Sequence, residues 1–165
     1  MAKKPFTPIP PMAELPPAEE INVKEVLHKY LSGETDLICV LGPTASGKTK
    51  YAVRLARQIN ELLKEIPGQA GNDRRREHQA FLPHLLRKAQ SGAEIISADS
   101  RQVYRGMDIG TGKDLNEYED IPYHLMDIVD AGSKYNIFEY QRDFEKAYKD
   151  IVDRGGIPIL CGGSG

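Results

Sequence analysis

The stretch "GPTASGKT", residues 42–49, decides the fold class of this chain of 165 residues. It meets the spacing G-x-x-x-x-G-K-T, and it lies between the apolar run "DLICVL" and a segment with helical spacing. Glycines permit tight turns that point backbone N–H groups at anionic oxygens, and the following helix adds its positive dipole end. The sequence therefore predicts a phosphate-binding loop formed by Gly42, Pro43, Thr44, Ala45, Ser46, Gly47, Lys48 and Thr49.

Apolar runs and helical patterns alternate along the rest of the chain. Strands are expected at residues 36–41, 93–98, 123–129 and 157–161, with helices between them. Asn22 and Gly33 are placed to begin and end one helix, and Asn136 with Glu139 forms a capping box at the start of another. This alternation predicts an α/β domain of the P-loop NTPase-like type, a parallel sheet with helices on both faces.

The domain limits follow from composition. Residues 1–35 read as a proline-rich arm and a short helix, and residues 36–165 as the P-loop α/β domain. The segment at about 67–92 reads as an insertion, basic and polar at first. Its arginines at 74–76 could contact RNA phosphates, and the alternative is a solvated surface insertion.

A second group of polar residues follows the predicted strand 93–98, in the stretch "ISADSRQVYRGMDIGTGK". Open α/β sheets bind their ligands beyond the carboxyl ends of the strands, where Asp99 stands. Ser100, Arg101 and Gln102 are groups that could recognise a planar, hydrogen-bonding substrate such as a base. Two other roles stay open for Asp99: a metal ligand in a nucleotide kinase, or a cap on the next helix.

Several other polar residues have structural interpretations. His124 and Asp127 are expected to be satisfied polar groups at a strand end, rather than a metal site or a catalytic pair. The "GTGK" segment at 110–113 is too short for a second phosphate loop and reads as a turn. Cys39 and Cys161 lie in apolar runs, so both are expected to be buried, reduced thiols.

Four motifs in order, "GPTASGKT", "ISADSRQVYRGMDIGT", "IPYHLMDIVD" and "PILCGGSG", closely resemble the tRNA dimethylallyltransferases. This family includes the related adenylate isopentenyltransferases. The resemblance covers roughly residues 36–165 apart from the insertion, and it corresponds to the N-terminal half of the family fold. Family members are about twice as long, so the chain is expected to be truncated.

The resemblance implies that the loop grips dimethylallyl diphosphate, and that the acceptor is the exocyclic amine of an adenosine beside the tRNA anticodon. Asp99 matches the family's general base, and the segment from Asp99 to Gln102 would contact tRNA. Lys48, the loop amides and Mg²⁺ at Thr49 would stabilise the departing pyrophosphate. Ser164 stands where the family usually has threonine, and it keeps the hydroxyl that helps to hold the pyrophosphate.

Bulk properties limit the remaining choices. The formal net charge of −2 argues against a globally basic nucleic-acid binder. No apolar run approaches the roughly 20 residues that a membrane span needs, and no signal peptide is evident, so we expect a cytoplasmic monomer with no membrane association. The alternatives are an ATP-binding P-loop kinase acting on a nucleotide or metabolite, and an isopentenyltransferase acting on free AMP, ADP or ATP.

Overall fold

The computed structural model describes residues 20–43, 45–64, 89, 91–109, 111, 113 and 115–163. The predicted proline-rich arm, nearly all of the insertion with its arginines, Thr44 and Ser164 lie outside these residues. The described elements are α1 (Val23–Ser32), β1 (Ile38–Leu41), α2 (Lys48–Lys64), β2 (Gly92–Ser97), a 3-10 helix (Leu115–Tyr118), β3 (Tyr123–His124), α3 (Ile137–Asp153) and β4 (Gly156–Gly162).

The four described strands form one parallel sheet in the order β1-β4-β2-β3, which confirms the predicted fold class. Leu41 pairs with Gly162, and Ser97 pairs with Cys161, so β1, β4 and β2 end at nearly the same level. The loop after β1, the segment after β2 and the last described residues of the chain therefore emerge together at one edge of the sheet.

Both faces of the sheet are covered, as the sequence predicts. On one face, α1 and α2 pack over Ile95, Ile157 and Ile159, and on the other α3 packs over Ile96 and Leu160. Successive side chains of a strand point to opposite faces, which explains this division. Burying each isoleucine completely contributes about 1.5–3 kcal/mol of transfer free energy.

The predicted helix ends are confirmed. The Asn22 side chain accepts a hydrogen bond from the Glu25 amide, and Gly33 ends α1 in the left-handed conformation with φ 77°. At α3 the capping box is complete: the Asn136 side chain accepts from the Glu139 amide, and the Glu139 carboxylate accepts from the Asn136 amide. Residues of these types fix helix limits because they satisfy backbone groups that lack an intrahelical partner.

Two expectations require correction. The strand predicted at 123–129 is limited to Tyr123–His124, followed by an isolated bridge between Val129 and Tyr104. Leu125 and Asp127 take positive φ angles of 61° and 53°, which no strand accommodates. Cys39 is exposed: β1 is an edge strand of the described sheet, and Cys39 is level with Leu160 on the face where α3 packs over β4 and β2; Cys161 is buried as predicted.

A charged cluster closes the edge of the sheet that lies away from the loop after β1. The Glu94 side chain of β2 is only 3% exposed, and it accepts two hydrogen bonds from Arg154 at 2.8 and 3.1 Å. His124 Nε2 lies 2.7 Å from the same carboxylate. Burial alone would raise the pKa of Glu94, but Arg154 and His124 outweigh it and lower that pKa. This carboxylate therefore ties β2 to β3 and to the end of α3.

Candidate active site

A cleft of about 1100 Å³ opens at the carboxyl edge of the sheet. Its walls come from the loop and the first residues of α2 (45–50), the segment after β2 (98–102), the 3-10 helix, and the end of β4 (161–163). Segments far apart in sequence therefore meet where the sequence predicts a ligand site.

Of the helices in the described part of the chain, none has both the length and the apolar character needed to cross a bilayer.

The described residues of the loop between β1 and α2 include two with positive φ angles. Gly47 has φ 79°, and Ala45 also takes a positive φ, of 61°, which is uncommon for a residue with a side chain. The Gly47 carbonyl accepts the first hydrogen bond of α2, from the Tyr51 amide at 3.0 Å. The amides at the start of α2 consequently face the cleft with the positive end of a helix of 17 residues behind them.

Lys48 is folded back onto its own loop. Its ammonium donates a hydrogen bond to the Pro43 carbonyl, and the side chain lines the cleft. An ammonium group has three N–H donors, so two remain beside the one that the Pro43 carbonyl accepts.

The end of β4 approaches the loop so closely that only glycine fits. A Cβ atom added to Gly163 would overlap the Gly42 carbonyl oxygen, and one added to Gly162 would lie 2.5 Å from the Ala98 Cβ. These contacts give a physical reason for the glycine pair in "PILCGGSG". They bring the last described residues within reach of any group held by the loop.

Asp99 lines the same cleft from the segment after β2. Its carboxylate accepts three hydrogen bonds from Arg101: from the backbone amide at 2.9 Å, from Nε at 3.1 Å and from Nη2 at 2.9 Å. Burial alone would raise the pKa of Asp99, but the Arg101 hydrogen bonds and the charges of Arg101 and Lys48 lower it. The carboxylate is therefore ionised at neutral pH. Its side chain caps a turn, and the residues directly after it, 100–109, contain no helix.

The neighbours of Asp99 divide into exposed and buried groups. Ser100 and Arg101 are exposed at the rim of the cleft, where they could reach a large ligand. Gln102 is buried, and its Oε1 accepts a hydrogen bond from the Ser97 hydroxyl at 3.0 Å. Gln102 therefore supports the end of β2 as well as lining the cleft.

The 3-10 helix supplies two site residues that the sequence analysis missed. Tyr118 is only 3% exposed, and it lines the cleft. Glu117 also lines the cleft, 3.6 Å from the Lys50 ammonium. Burial raises the pKa of Tyr118, so its phenol stays protonated. No spacing motif marks these residues, because their partners lie in α2, far back along the chain.

The ammonium group of Lys113 is fully buried and anchors the described residues that follow Gln102. Lys113 donates to the Tyr104 carbonyl at 2.8 Å and pairs with Asp108 at 2.9 Å and with Asp127. Burial alone would lower the pKa of Lys113, but the two carboxylates raise it. His124 pairs with Glu94 instead of Asp127, so the structural interpretation of both residues is confirmed.

A phosphate-binding loop on a parallel sheet, facing a strand-end carboxylate, defines a P-loop NTPase-like domain. A family model described as IPP transferase matches residues 102–165. Over 134 residues the chain is 49% identical to tRNA dimethylallyltransferase 2 of Bacteroides fragilis, with 79% of this chain and 33% of the relative covered. It is 48% identical over 130 residues to tRNA dimethylallyltransferase 1 of Geotalea uraniireducens, with the same coverage.

Solved structures agree with the sequence relatives. The tRNA isopentenylpyrophosphate transferase of Bacillus halodurans superposes with a TM-score of 0.56 at 35% identity, covering 78% of this chain and 32% of that one. A eukaryotic dimethylallyltransferase acting on tRNA superposes with a TM-score of 0.54 at 29% identity, covering 77% and 24%. The chain is thus similar to tRNA dimethylallyltransferases over 79% of its length. It spans about a third of the length of these relatives, less than the half that the sequence analysis expected.

Proposed function

We propose that this chain is the diphosphate-binding part of an enzyme that transfers a dimethylallyl group from dimethylallyl diphosphate to tRNA. The acceptor is the exocyclic amine of an adenosine next to the anticodon. The observation that carries the proposal is that Lys48, which begins α2, and Asp99, which follows β2, line one cleft. The site thus pairs a cradle for a leaving diphosphate with a carboxylate for an acceptor proton. Because tRNA is the acceptor, a cytoplasmic location belongs to the same proposal.

The chemistry requires both residues. The bond between the allylic carbon and the diphosphate oxygen breaks, and pyrophosphate leaves with the electron pair. The adenine nitrogen forms a new bond to that carbon and loses its proton to Asp99. An adenine amine is a poor nucleophile because its lone pair is delocalised into the ring, so a positioned base contributes about 10²–10⁴-fold.

The leaving-group side is served by the loop. Residues at the start of α2, with Lys48 among them, line the cleft, and we expect their amides and the Lys48 ammonium to stabilise negative charge that grows on pyrophosphate. A phosphate oxygen can accept one of the two Lys48 protons that the Pro43 carbonyl does not use. The acceptor base has to leave its stack to reach a cleft of this kind.

Mg²⁺ is part of the proposal, and the residues present fit it. Magnesium usually keeps several waters and takes few protein ligands beside the phosphates of the substrate. Thr49 offers one hydroxyl in the cleft wall, next to the loop that would hold the diphosphate. Among the described residues no group of three or more His, Cys, Asp or Glu side chains forms a metal cage. The metal would supply charge stabilisation to the departing pyrophosphate.

The test offers the chain labelled dimethylallyl diphosphate with tRNA, with AMP and with no acceptor, and in parallel ATP with Mg²⁺. Equilibrium binding of the diphosphate is recorded beside label transfer, because the chain spans a third of its relatives. We expect dimethylallyl diphosphate to bind, and Lys48→Met to weaken that binding at least tenfold, while the matched change Lys149→Met on the far end of α3 leaves it unchanged.

Other results would overturn the proposal. Binding of ATP with phosphoryl transfer, and no affinity for allylic diphosphates, would identify a P-loop kinase with Asp99 as its metal ligand. Label transfer to AMP in preference to tRNA would identify an isopentenyltransferase of free adenine nucleotides.

A further inference from the structure

The chain beyond Gln102 supplies one more residue, Thr111, to the cleft, and a buried ammonium group lies next to it in sequence. Thr111 is only 7% exposed and lines the cleft together with Asp99. Lys113, two positions further on, has a side chain with no exposed surface. Neither residue belongs to the phosphate-binding loop, and the proposed chemistry uses neither of them.

We propose that Lys113 is a positioning residue, which holds Thr111 at the part of the cleft where the acceptor adenine binds. The inference deepens the proposed function, and it rests on that function only in taking an adenosine as the acceptor. It adds a residue on which binding of the base depends and binding of the diphosphate does not.

The contacts of the Lys113 ammonium account for all of its protons. The group donates to the Tyr104 carbonyl at 2.8 Å, and it pairs with Asp108 at 2.9 Å and with Asp127. An ammonium group has three N–H donors, so these partners leave none for a ligand. Lys113 therefore acts on the cleft through the residues that it holds, and not by touching a substrate.

These partners join the residues that follow β2 to those that follow β3. Tyr104 and Asp108 belong to the first group, and Asp127 belongs to the second. The Asp127 amide also donates to the carbonyl of Gln102, a cleft residue, at 3.1 Å. Asp127 has a φ of 53°, an uncommon conformation for a residue with a side chain, and its pair with Lys113 helps to hold it. Lys113 thus fixes the two segments against each other beside the cleft.

Thr111 is fixed by its own hydroxyl as well. That hydroxyl donates to the Met107 carbonyl, and it lies 3.4 Å from the Asp108 carbonyl oxygen. Because a hydroxyl has one proton, this bond uses it, and only lone pairs remain for a ligand. Such an oxygen accepts N–H donors, and the exocyclic amine of adenine is a group of that kind.

The order of the sheet separates this part of the cleft from the phosphate-binding loop. β4 lies between β1, which leads into the loop, and β2, which leads to Asp99. The residues that Lys113 joins follow β2 and β3, on the side of β4 away from β1. Loss of Lys113 should therefore disturb the acceptor side of the cleft and leave the diphosphate side in place.

Threonine methyl groups report on both sides, because the cleft is lined by Thr49 at the loop and by Thr111. The experiment records NMR spectra of the whole chain with labelled threonine methyls, titrated with adenosine and, separately, with inorganic pyrophosphate and Mg²⁺. We expect adenosine to shift the Thr111 signal and pyrophosphate to shift the Thr49 signal. Lys113→Met should weaken adenosine binding about tenfold or more, because two carboxylates lose their cation. Pyrophosphate binding should stay within about twofold of the parent.

A second variant keeps the test decisive if Lys113→Met does not fold. Asp127→Asn retains the shape of the side chain and tolerates the positive φ, but it removes one of the two charges beside the ammonium. Adenosine binding should then weaken about three- to fivefold, and pyrophosphate binding should not change. The matched control is Lys149→Met, which removes an exposed lysine paired with Asp153 on α3 and should leave both affinities unchanged. Urea denaturation establishes that each variant is folded before it is titrated.

Three results would overturn the inference. The folded variants could bind adenosine as tightly as the parent. They could lose adenosine and pyrophosphate binding in equal measure, which would indicate a general structural role. Adenosine could leave the Thr111 signal of the parent unmoved. The proposed function would fail by a different result, the absence of affinity for dimethylallyl diphosphate, a compound that neither titration uses.

Discussion

Arg101 spans both carboxylate oxygens of Asp99, with Nε 3.1 Å from Oδ1 and Nη2 2.9 Å from Oδ2. The paired arrangement is the strong form of this contact, although the arginine side chain is half exposed. With the Arg101 backbone amide, it fills three of the four lone-pair positions of the carboxylate and leaves one on Oδ2. If Asp99 takes the acceptor proton as proposed, that position is the one open to it.

The first prediction concerns Arg101→Gln. With the guanidinium removed, the burial that raises the pKa of Asp99 loses its main opposition, so that pKa should rise from its lowered position toward or above 3.8. In the parent, the stability due to this pair is present above 3.8 and is lost as the pH falls through the lowered pKa. Carbon-13 NMR of the labelled aspartate carboxyl groups measures the change. Arg105→Gln, which removes a pair with Asp130, should leave the Asp99 signal in place.

The second prediction concerns Asp99→Asn. Asparagine keeps the shape and the backbone hydrogen bond but accepts no proton, so transfer to tRNA should fall by about 10²–10⁴-fold. Affinity for pyrophosphate should remain within about threefold, because the phosphate-binding loop is unchanged. Transfer assays and calorimetry on the same samples separate the two effects. If affinity fell in step with turnover, Asp99 would be a metal ligand or a structural residue.

The third prediction concerns Gly163→Ala. The added Cβ would overlap the Gly42 carbonyl oxygen, so the end of β4 or the loop must shift, and pyrophosphate affinity should fall at least tenfold. The control is Gly33→Ala, where a Cβ meets nothing within 4 Å but φ is 77°. That variant should lose about 1 kcal/mol of unfolding free energy from backbone strain and keep its affinity. Equal affinities in the two variants would contradict a role for the glycine pair at the loop.

The fourth prediction concerns Glu94→Gln, far from the cleft. Loss of the charged hydrogen bonds from Arg154 and His124 should lower the unfolding free energy by about 2 kcal/mol at pH 7. The folded-state pKa of Glu94 is lowered, so its contribution is present above the ordinary value of 4.5 and is lost as the pH falls through the folded value. The difference between variant and parent should therefore shrink below pH 4.5.

Urea denaturation at pH 7 and at pH 4 measures that difference. Asp153→Asn breaks an exposed pair with Lys149 on α3 and should change the unfolding free energy by less than about 0.5 kcal/mol at either pH. A Glu94→Gln difference that stayed constant between pH 7 and pH 4 would show that the carboxylate charge is not what stabilises this end of the sheet.

The sequence predicted what local chemistry determines. The loop at Gly47 and Lys48, the helix caps at Asn22 and Asn136, and the buried strands of the sheet follow from residue types at fixed spacings. The end of the third strand could not be predicted in this way. The positive φ of Leu125 depends on the contacts that the following residues make with Tyr104 and Lys113, which belong to another segment of the chain. Apolar alternation alone continued the strand across it.

Site residues that belong to one sequence motif were predicted. Site residues that come together from two distant segments were missed. Asp99 and Arg101 are two positions apart, yet only the structure shows that one covers the other. Lys50 pairs with Glu117 across 67 positions, and no spacing motif near either residue marks the pair. The buried ion pair of Glu94 was not predicted, because a single carboxylate within an apolar run does not alter the pattern of a strand.

The edge position of β1 has a practical consequence for anyone handling this polypeptide. Leu41 and Cys39 are exposed on a strand whose outer N–H and C=O groups have no ladder partner among the described residues. A second molecule can pair with such an exposed strand edge, so concentrated solutions should aggregate and scatter light. The substitution Leu41→Lys should reduce that scattering. Dilute samples and brief storage will then give the most faithful calorimetry.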